Sequence, residues 1–202
     1  MVAAPLADSN DNELTQLLLK MKEREAAFGQ LQPMRTLLRS LIQLAIVVWV
    51  GGLLFFGAVV APVAFGTLVP MFPDPSVGLH VAGTMVRNSL LHLHALGIVC
   101  GLVLLLLCIV ERVTRATRRS IGPPLVLIVV MLGLTAYSQY SVIPRMETLR
   151  IDAGAAMADP ASTNPARVDF NRLHNLSTSL EGIVLLCGIG LIVLYARPEP
   201  VS

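Results

Sequence analysis

From Ser40 to Phe72 the chain passes through Trp49, Gly51, Gly52, Phe55, Phe56, Pro62 and Phe65 without one charged residue. A helix needs about 20 consecutive apolar residues to cross the hydrocarbon layer of a bilayer, so the stretch reads as a transmembrane helix, placed at about 41–68. The same pattern recurs at about 89–110, 121–143 and 173–196. The expected fold is therefore all-α, a polytopic membrane protein built as a four-transmembrane-helix bundle with an N-terminal amphipathic helix. Its expected divisions are a cytoplasmic tail at 1–35, one membrane domain at 36–197 and a short tail at 198–202. A composition that is 54% hydrophobic and 14% charged agrees. The net charge of +2 speaks against a nucleic-acid partner. Cys100, Cys108 and Cys187 all fall in apolar spans without metal spacing and read as small core residues. The polar first 40 residues do not fit a cleaved signal peptide, so the first span reads as an uncleaved anchor.

Ahead of the first span, residues 1 to 11 read as disordered. Leu14, Leu17, Leu18, Met21 and Phe28 then share one helical face, with Glu13, Lys20, Lys22, Glu23 and Arg24 around the rest, so residues 12–32 read as an amphipathic helix. It is expected to end at Pro33 and to lie on the membrane surface or dock on a partner membrane protein. Pro70, Pro73 and Pro75 break the chain after the first span, and Ser76 is placed to cap a helix running to about 113. Glu111, Arg112, Arg115, Arg118 and Arg119 form a short basic loop. Pro144 is expected to mark the exit of the third span, with a hydrophilic loop over 145–162 that could begin as a helical extension. Ten of the fifteen Lys and Arg fall on the side of the chain ends and the 111–119 loop. That bias predicts both termini in the cytoplasm of a multi-pass protein of a bacterial inner membrane. Gly97 and Gly101 make a GxxxG pair, a pattern that lets helix backbones approach in lipid.

This topology puts His92, His94 and His174 near one membrane face, where the third span leaves with Tyr137, Ser138, Gln139 and Tyr140 and where Arg87, Arg145 and Arg172 should lie just above. Such a set could hold haem or a copper-type metal between His92 or His94 and His174, although His92 and His94 point about 200° apart, so at most one of them faces His174. Glu181 stands near the midplane. His174, Thr178 and Glu181 follow i, i+4, i+7 spacing and with Trp49, Tyr137, Tyr140 and Arg172 outline a polar stripe leading inward. An ionisable residue at membrane depth is a functional candidate, here for a proton or a cation. Trp49, also near mid-depth, needs a buried acceptor for its indole N–H, with Glu181 or a backbone carbonyl as candidates. His80, in the projecting part of its helix, reads as solvated. No catalytic constellation is present: the chain has no GxSxG, HExxH or Walker loop and no paired carboxylates.

Four segments resemble a known family: Trp49 to Phe65, Leu91 to Gly97, Tyr140 to Arg150 with Pro144 inside it, and Phe170 to Ser177 with Arg172 and His174. They look like the four-helix membrane proteins similar to transmembrane protein 205, over roughly residues 36 to 196. The resemblance implies a fold and a membrane location, because that family's domain is largely of unknown function. A further similarity, of the first-span Trp-x-Gly-Gly and the helix-borne His, points to copper-resistance and haem-binding membrane families. Three readings follow: a non-enzymatic component handling a small solute or serving as an accessory, a haem- or metal-binding protein, and a structural subunit of a larger complex.

Overall fold

The computed structural model describes residues 8–114, 122–159 and 161–197, with side chains described for 15–22 and from 33 onward within those ranges. Every regular element among them is helical: α1 (Asp8–Phe55), α2 (Ala61–Leu68), α3 (Pro75–Val113), α4 (Gly122–Tyr137), α5 (Ile143–Ala153) and α6 (Pro165–Ala196). Joined through short π and 3-10 turns, they give four stretches long and apolar enough to cross a membrane, Pro33–Met71, Pro75–Val113, Gly122–Ala158 and Pro165–Ala196. That is the build of a multi-pass membrane protein.

Prolines shape these stretches differently from the sequence expectation. Pro33 does not end the first helix; α1 continues through it. Pro144 does not end its helix either, and residues 145–153 are the helical extension that the sequence allows. The chain passes from α4 through a π turn at Ser138–Val142 into α5, which runs on to Ala153 and a 3-10 turn at Gly154–Ala158. Pro62 follows a second π turn, Phe56–Val60, at the same offset. The cause is common to both. A proline inside a helix lacks the N–H its i−4 carbonyl would accept, and its ring pushes that carbonyl aside. The preceding residue compensates by reaching one residue further back, Ala61 N–H to Phe56 O and Ile143 N–H to Ser138 O. The helix widens locally and survives, which in an apolar segment leaves fewer backbone groups unpaired than ending would.

Short connections make sequential helices neighbours. α1 packs on α3, α3 on α4, α4 on α6, and α6 closes the ring on α1. α3 begins with Asp74, whose carboxylate accepts from Ser76 N at 2.8 Å, so Asp74 is the cap that the sequence assigns to Ser76. Hydrogen bonding from the Ser76 side chain, and then from its backbone N–H, holds the Asp74 carboxyl below the ordinary range. α3 and α6 run in the same direction on opposite sides of the ring. Two hydrogen bonds cross between them: His94 to Glu181 at 2.7 Å and Cys108 Sγ to Tyr195 Oη at 3.4 Å, fourteen residues further along each helix.

These two levels bracket the apolar core. Ile42, Ile46, Leu104, Ile128, Met131 and Leu191 fill it and are almost wholly covered. Beyond the His94 level, toward α2 and α5, the covered residues are mostly small or β-branched, such as Ala64, Gly78, Ala82, Val142 and Ala153. Cys100 and Cys108 are buried as expected, while Cys187 is only half-covered. Glu111, read from sequence as part of a basic loop, is instead buried near the end of α3. Residues 8–11, expected to be disordered, form the first turn of α1, while residues 1–7 and the loop arginines Arg115, Arg118 and Arg119 lie outside the described residues.

Candidate functional site

The centre of the bundle is polar. His94 stands midway along α3 and Glu181 midway along α6, so the two meet at one level and not at the separate depths that the span boundaries suggest. The His94 side chain is 1% exposed; its Nε2 and the Glu181 Oε1 share a proton across 2.7 Å. Ser138 Oγ donates to the same carboxylate oxygen at 3.2 Å. Three helices thus converge on one atom. Whichever group carries the proton, a hydrogen-bonded imidazole and carboxyl form a pair without net charge, or a zwitterion of zero sum, which is how an acid can sit inside an apolar bundle.

The pair is incomplete. His94 Nδ1, Glu181 Oε2, Thr135 Oγ1 and Gln139 Oε1 are all buried with no hydrogen-bond partner in the protein. Thr135, in the last turn of α4, and Ser138 and Gln139, the first two residues of the π turn that follows, stand at i, i+3 and i+4, so one helical face carries all three. The π turn that starts at Ser138 lies within this segment, a placement seen at functional positions of other helices.

Trp49 forms the adjoining level on the apolar-core side. Its indole lies in a slot cut into α3 by Gly97 and Gly101, one and two turns past His94: a Cβ at Gly97 would stand 2.9 Å from Trp49 Cδ1, and one at Gly101 2.8 Å from Cζ3. The GxxxG pair therefore seats an aromatic ring, where the sequence pattern implies backbone against backbone. Trp49 does not bond Glu181, because Oε1 is taken by His94 and Ser138 and Oε2 has no partner.

The remaining candidates from sequence lie elsewhere. His92 is exposed on the bundle surface, its Nδ1–H donating to the Asn88 carbonyl at 2.8 Å. His174 is also exposed and stacks on Phe170, with ring centroids 6.1 Å apart. Thr178 is exposed beside it and donates to the His174 carbonyl at 3.0 Å. Tyr137 and Tyr140 face outward. Arg172 is 83% exposed and 3.9 Å from Asp169. Among the described residues no three His, Cys, Asp or Glu side chains come together as a metal-ligand set, and His92, His94 and His174 each have a different neighbour. Of the expected stripe, only Trp49 and Glu181 reach the interior. Thr135 is the site residue that the sequence does not announce; its one signal is the spacing to Ser138 and Gln139 in an otherwise apolar helix.

Toward the α2 and α5 end, a network of charges ties α5 to α3. Arg150 donates to both Glu147 oxygens at 2.8 and 2.9 Å, to the His80 carbonyl at 3.0 Å and to Thr84 Oγ1 at 3.0 Å. Arg87 Nε lies 3.7 Å from Glu147. His80 is exposed yet engaged through its carbonyl. The arginines above the centre thus do not form a free cationic rim: Arg87 and Arg150 share Glu147, Arg172 neighbours Asp169, and Arg145 is exposed on the surface.

No curated protein and no solved structure matches this chain. One family does: the model described as Domain of unknown function (DUF4149) matches residues 44–155, a segment that contains Trp49, His94, Thr135, Ser138 and Gln139 and stops short of Glu181. That segment is more than half of the chain, and the protein belongs to the DUF4149 family.

Proposed function

We propose that the protein is a non-enzymatic membrane component that handles a proton or a small solute at the node formed by His94, Ser138 and Glu181. One observation carries this reading: an acid and an imidazole are hydrogen-bonded to each other across the bundle axis, and both retain a second buried polar atom without a partner. A pair kept only for packing would be expected to satisfy those atoms, because each unsatisfied buried group costs about 1–3 kcal/mol. A pair that gains and loses a proton or a guest needs them free in one of its states. The distribution of Lys and Arg supports cytoplasmic termini, with the Arg150 and Glu147 network on the opposite face. The resemblance to the transmembrane protein 205-like proteins supports the same picture of a four-helix membrane domain.

The test is infrared difference spectroscopy on the full chain in lipid nanodiscs, stepping pH. A carboxylic-acid carbonyl band is expected to appear and vanish reversibly in the wild type, to be missing in Glu181→Gln, and to change its midpoint in His94→Gln. A wild-type spectrum with no titrating carboxyl band, or one that Glu181→Gln leaves unaltered, would overturn the proposal.

A further inference from the structure

The element order runs through the chain twice. α1 passes through a π turn into α2, a 3-10 turn and the proline-led α3; α4 passes through a π turn into α5, a 3-10 turn and the proline-led α6. The π turns Phe56–Val60 and Ser138–Val142 stand 82 residues apart, as do Pro62 and Pro144 behind them. α3 and α6 each follow a cap, Asp74 or Asn164, whose side chain accepts from the N–H two residues on. Packing repeats as well: α1 lies on α3 as α4 lies on α6, α2 on α3 as α5 on α6, and α3 on α4 as α6 on α1. With α1 parallel to α4 and α3 to α6, the operation that exchanges these two hairpins is a two-fold rotation about the bundle axis.

Side chains obey the same rotation. A shift of 82 residues from α1 to α4 and of 87 from α3 to α6 pairs Trp49 with Met131, Val50 with Leu132, and Cys100-Gly101 with Cys187-Gly188. A Cβ at Gly101 would meet the Leu132 side chain and, at 2.8 Å, Trp49 Cζ3; one at Gly188 would meet the Val50 side chain and, at 3.4 Å, Met131 Cε. Each glycine thus touches one residue of its own hairpin and one of the other, and the rotation carries one set of contacts onto the other. The 87-residue shift also separates the partners of both cross-axis hydrogen bonds, His94 with Glu181 and Cys108 with Tyr195. A residue meets its own counterpart only where the rotation axis passes between the two, so both bonds lie on that axis. Membrane proteins built from repeats place their sites at such an interface.

We infer that the node is a two-fold site: His94 and Glu181 hold one position in two like hairpins, either of which can carry the carboxyl, and Ser138 is the positioning residue that assigns it to α6. Of the groups bonded at the node, only His94 and Glu181 titrate. Ser138 breaks the equivalence, because its counterpart, Phe56, has no side-chain donor. A carboxylate on α6 therefore receives the hydroxyl, and one on α3 would not. Each donor aimed at a carboxylate favours its charged form, so the acid belongs on the Ser138 side and the imidazole on the other. This inference rests on the proposed reading of Glu181 as an ionisable centre.

The experiment exchanges the two residues in the full chain, His94→Glu with Glu181→His, and follows the carboxyl band in nanodiscs through a pH series beside thermal unfolding. The exchanged chain is expected to fold and to show a reversible carboxyl band whose midpoint is shifted from that of the wild type. Adding Phe56→Ser is expected to bring the midpoint back toward the wild-type value, and Ser138→Ala in the otherwise unchanged chain to shift it. An exchanged chain that folds without a titrating band would overturn the equivalence, as would one that fails to fold where His94→Gln with Glu181→Gln folds. A Ser138→Ala midpoint equal to the wild type's would overturn the role of Ser138, and this comparison needs no exchanged chain. If the wild type itself shows no titrating band, the proposed function falls, and the equivalence is decided by the folding of the exchanged chain against the glutamine pair.

Discussion

His94 and His92 are two residues apart and do unrelated things. Two helical steps, about 200° in all, separate a side chain aimed at the bundle axis from one on the surface, and nothing in the local sequence distinguishes them. The same phase decides α6. Its covered residues, Ser177, Leu180, Val184, Gly188 and Leu191, mark the inner face, and Glu181 lies at its edge with 19% of its side chain exposed. His174 and Thr178 share spacing with Glu181 but lie on the far side of it from that face, so the stripe leaves the interior after a single residue. Glycine acts at this scale too. Gly97→Val should drive a methyl into the Trp49 indole and lower stability by about 1–3 kcal/mol in a detergent unfolding titration, the usual cost of overfilling a packed site. Trp49→Leu in the same chain is expected to recover much of that loss. Equal loss with and without the Trp49 change would show that the slot does not seat the ring.

At the level of elements, hydropathy alone makes four spans legible in the sequence, because a bilayer-length apolar run has few alternatives. Their ends are less legible. Pro33 and Pro144 carry a stop signal that holds where water can take over the freed carbonyls, whereas here α1 runs on through Pro33, and before Pro144 the backbone is kept paired by a wider turn. The π turn at Ser138–Val142 is thus a product of Pro144, and it phases the polar face of α4 against Glu181. Pro144→Ala restores the missing N–H and should let the segment relax toward regular α geometry. Hydrogen exchange at residues 138–144 should slow, and the Glu181 carboxyl band should move as Ser138 turns. Unchanged exchange with an unchanged band would mean that the π turn is held by packing and not by the proline.

For the molecule as a whole, ring order follows from short connections and is legible in the sequence, but the contact that matters joins α3 to α6 across the axis, and no one-dimensional pattern reports which side chains meet there. Thr135, Ser138 and Gln139 show in the sequence as polar spacing; that they answer His94 and Glu181 is a property of the fold. The N-terminal part of α1 stands apart from this core, with Leu17, Leu18, Leu19 and Met21 exposed. Deleting residues 1–30 is accordingly expected to leave the unfolding midpoint of the bundle unchanged in calorimetry, while a drop of several degrees would show that this segment supports the fold.

The placement of the apolar core has a consequence for traffic. Past the node, Trp49 and then Leu104, Ile128 and Leu191 close the axis with no polar atom to hand a guest onward until the level of Cys108 and Tyr195. If the node handles a proton as proposed, this apolar plug would confine the exchange to the α2 and α5 side, so the node would equilibrate with one compartment alone, as a gauge does and a pipe does not.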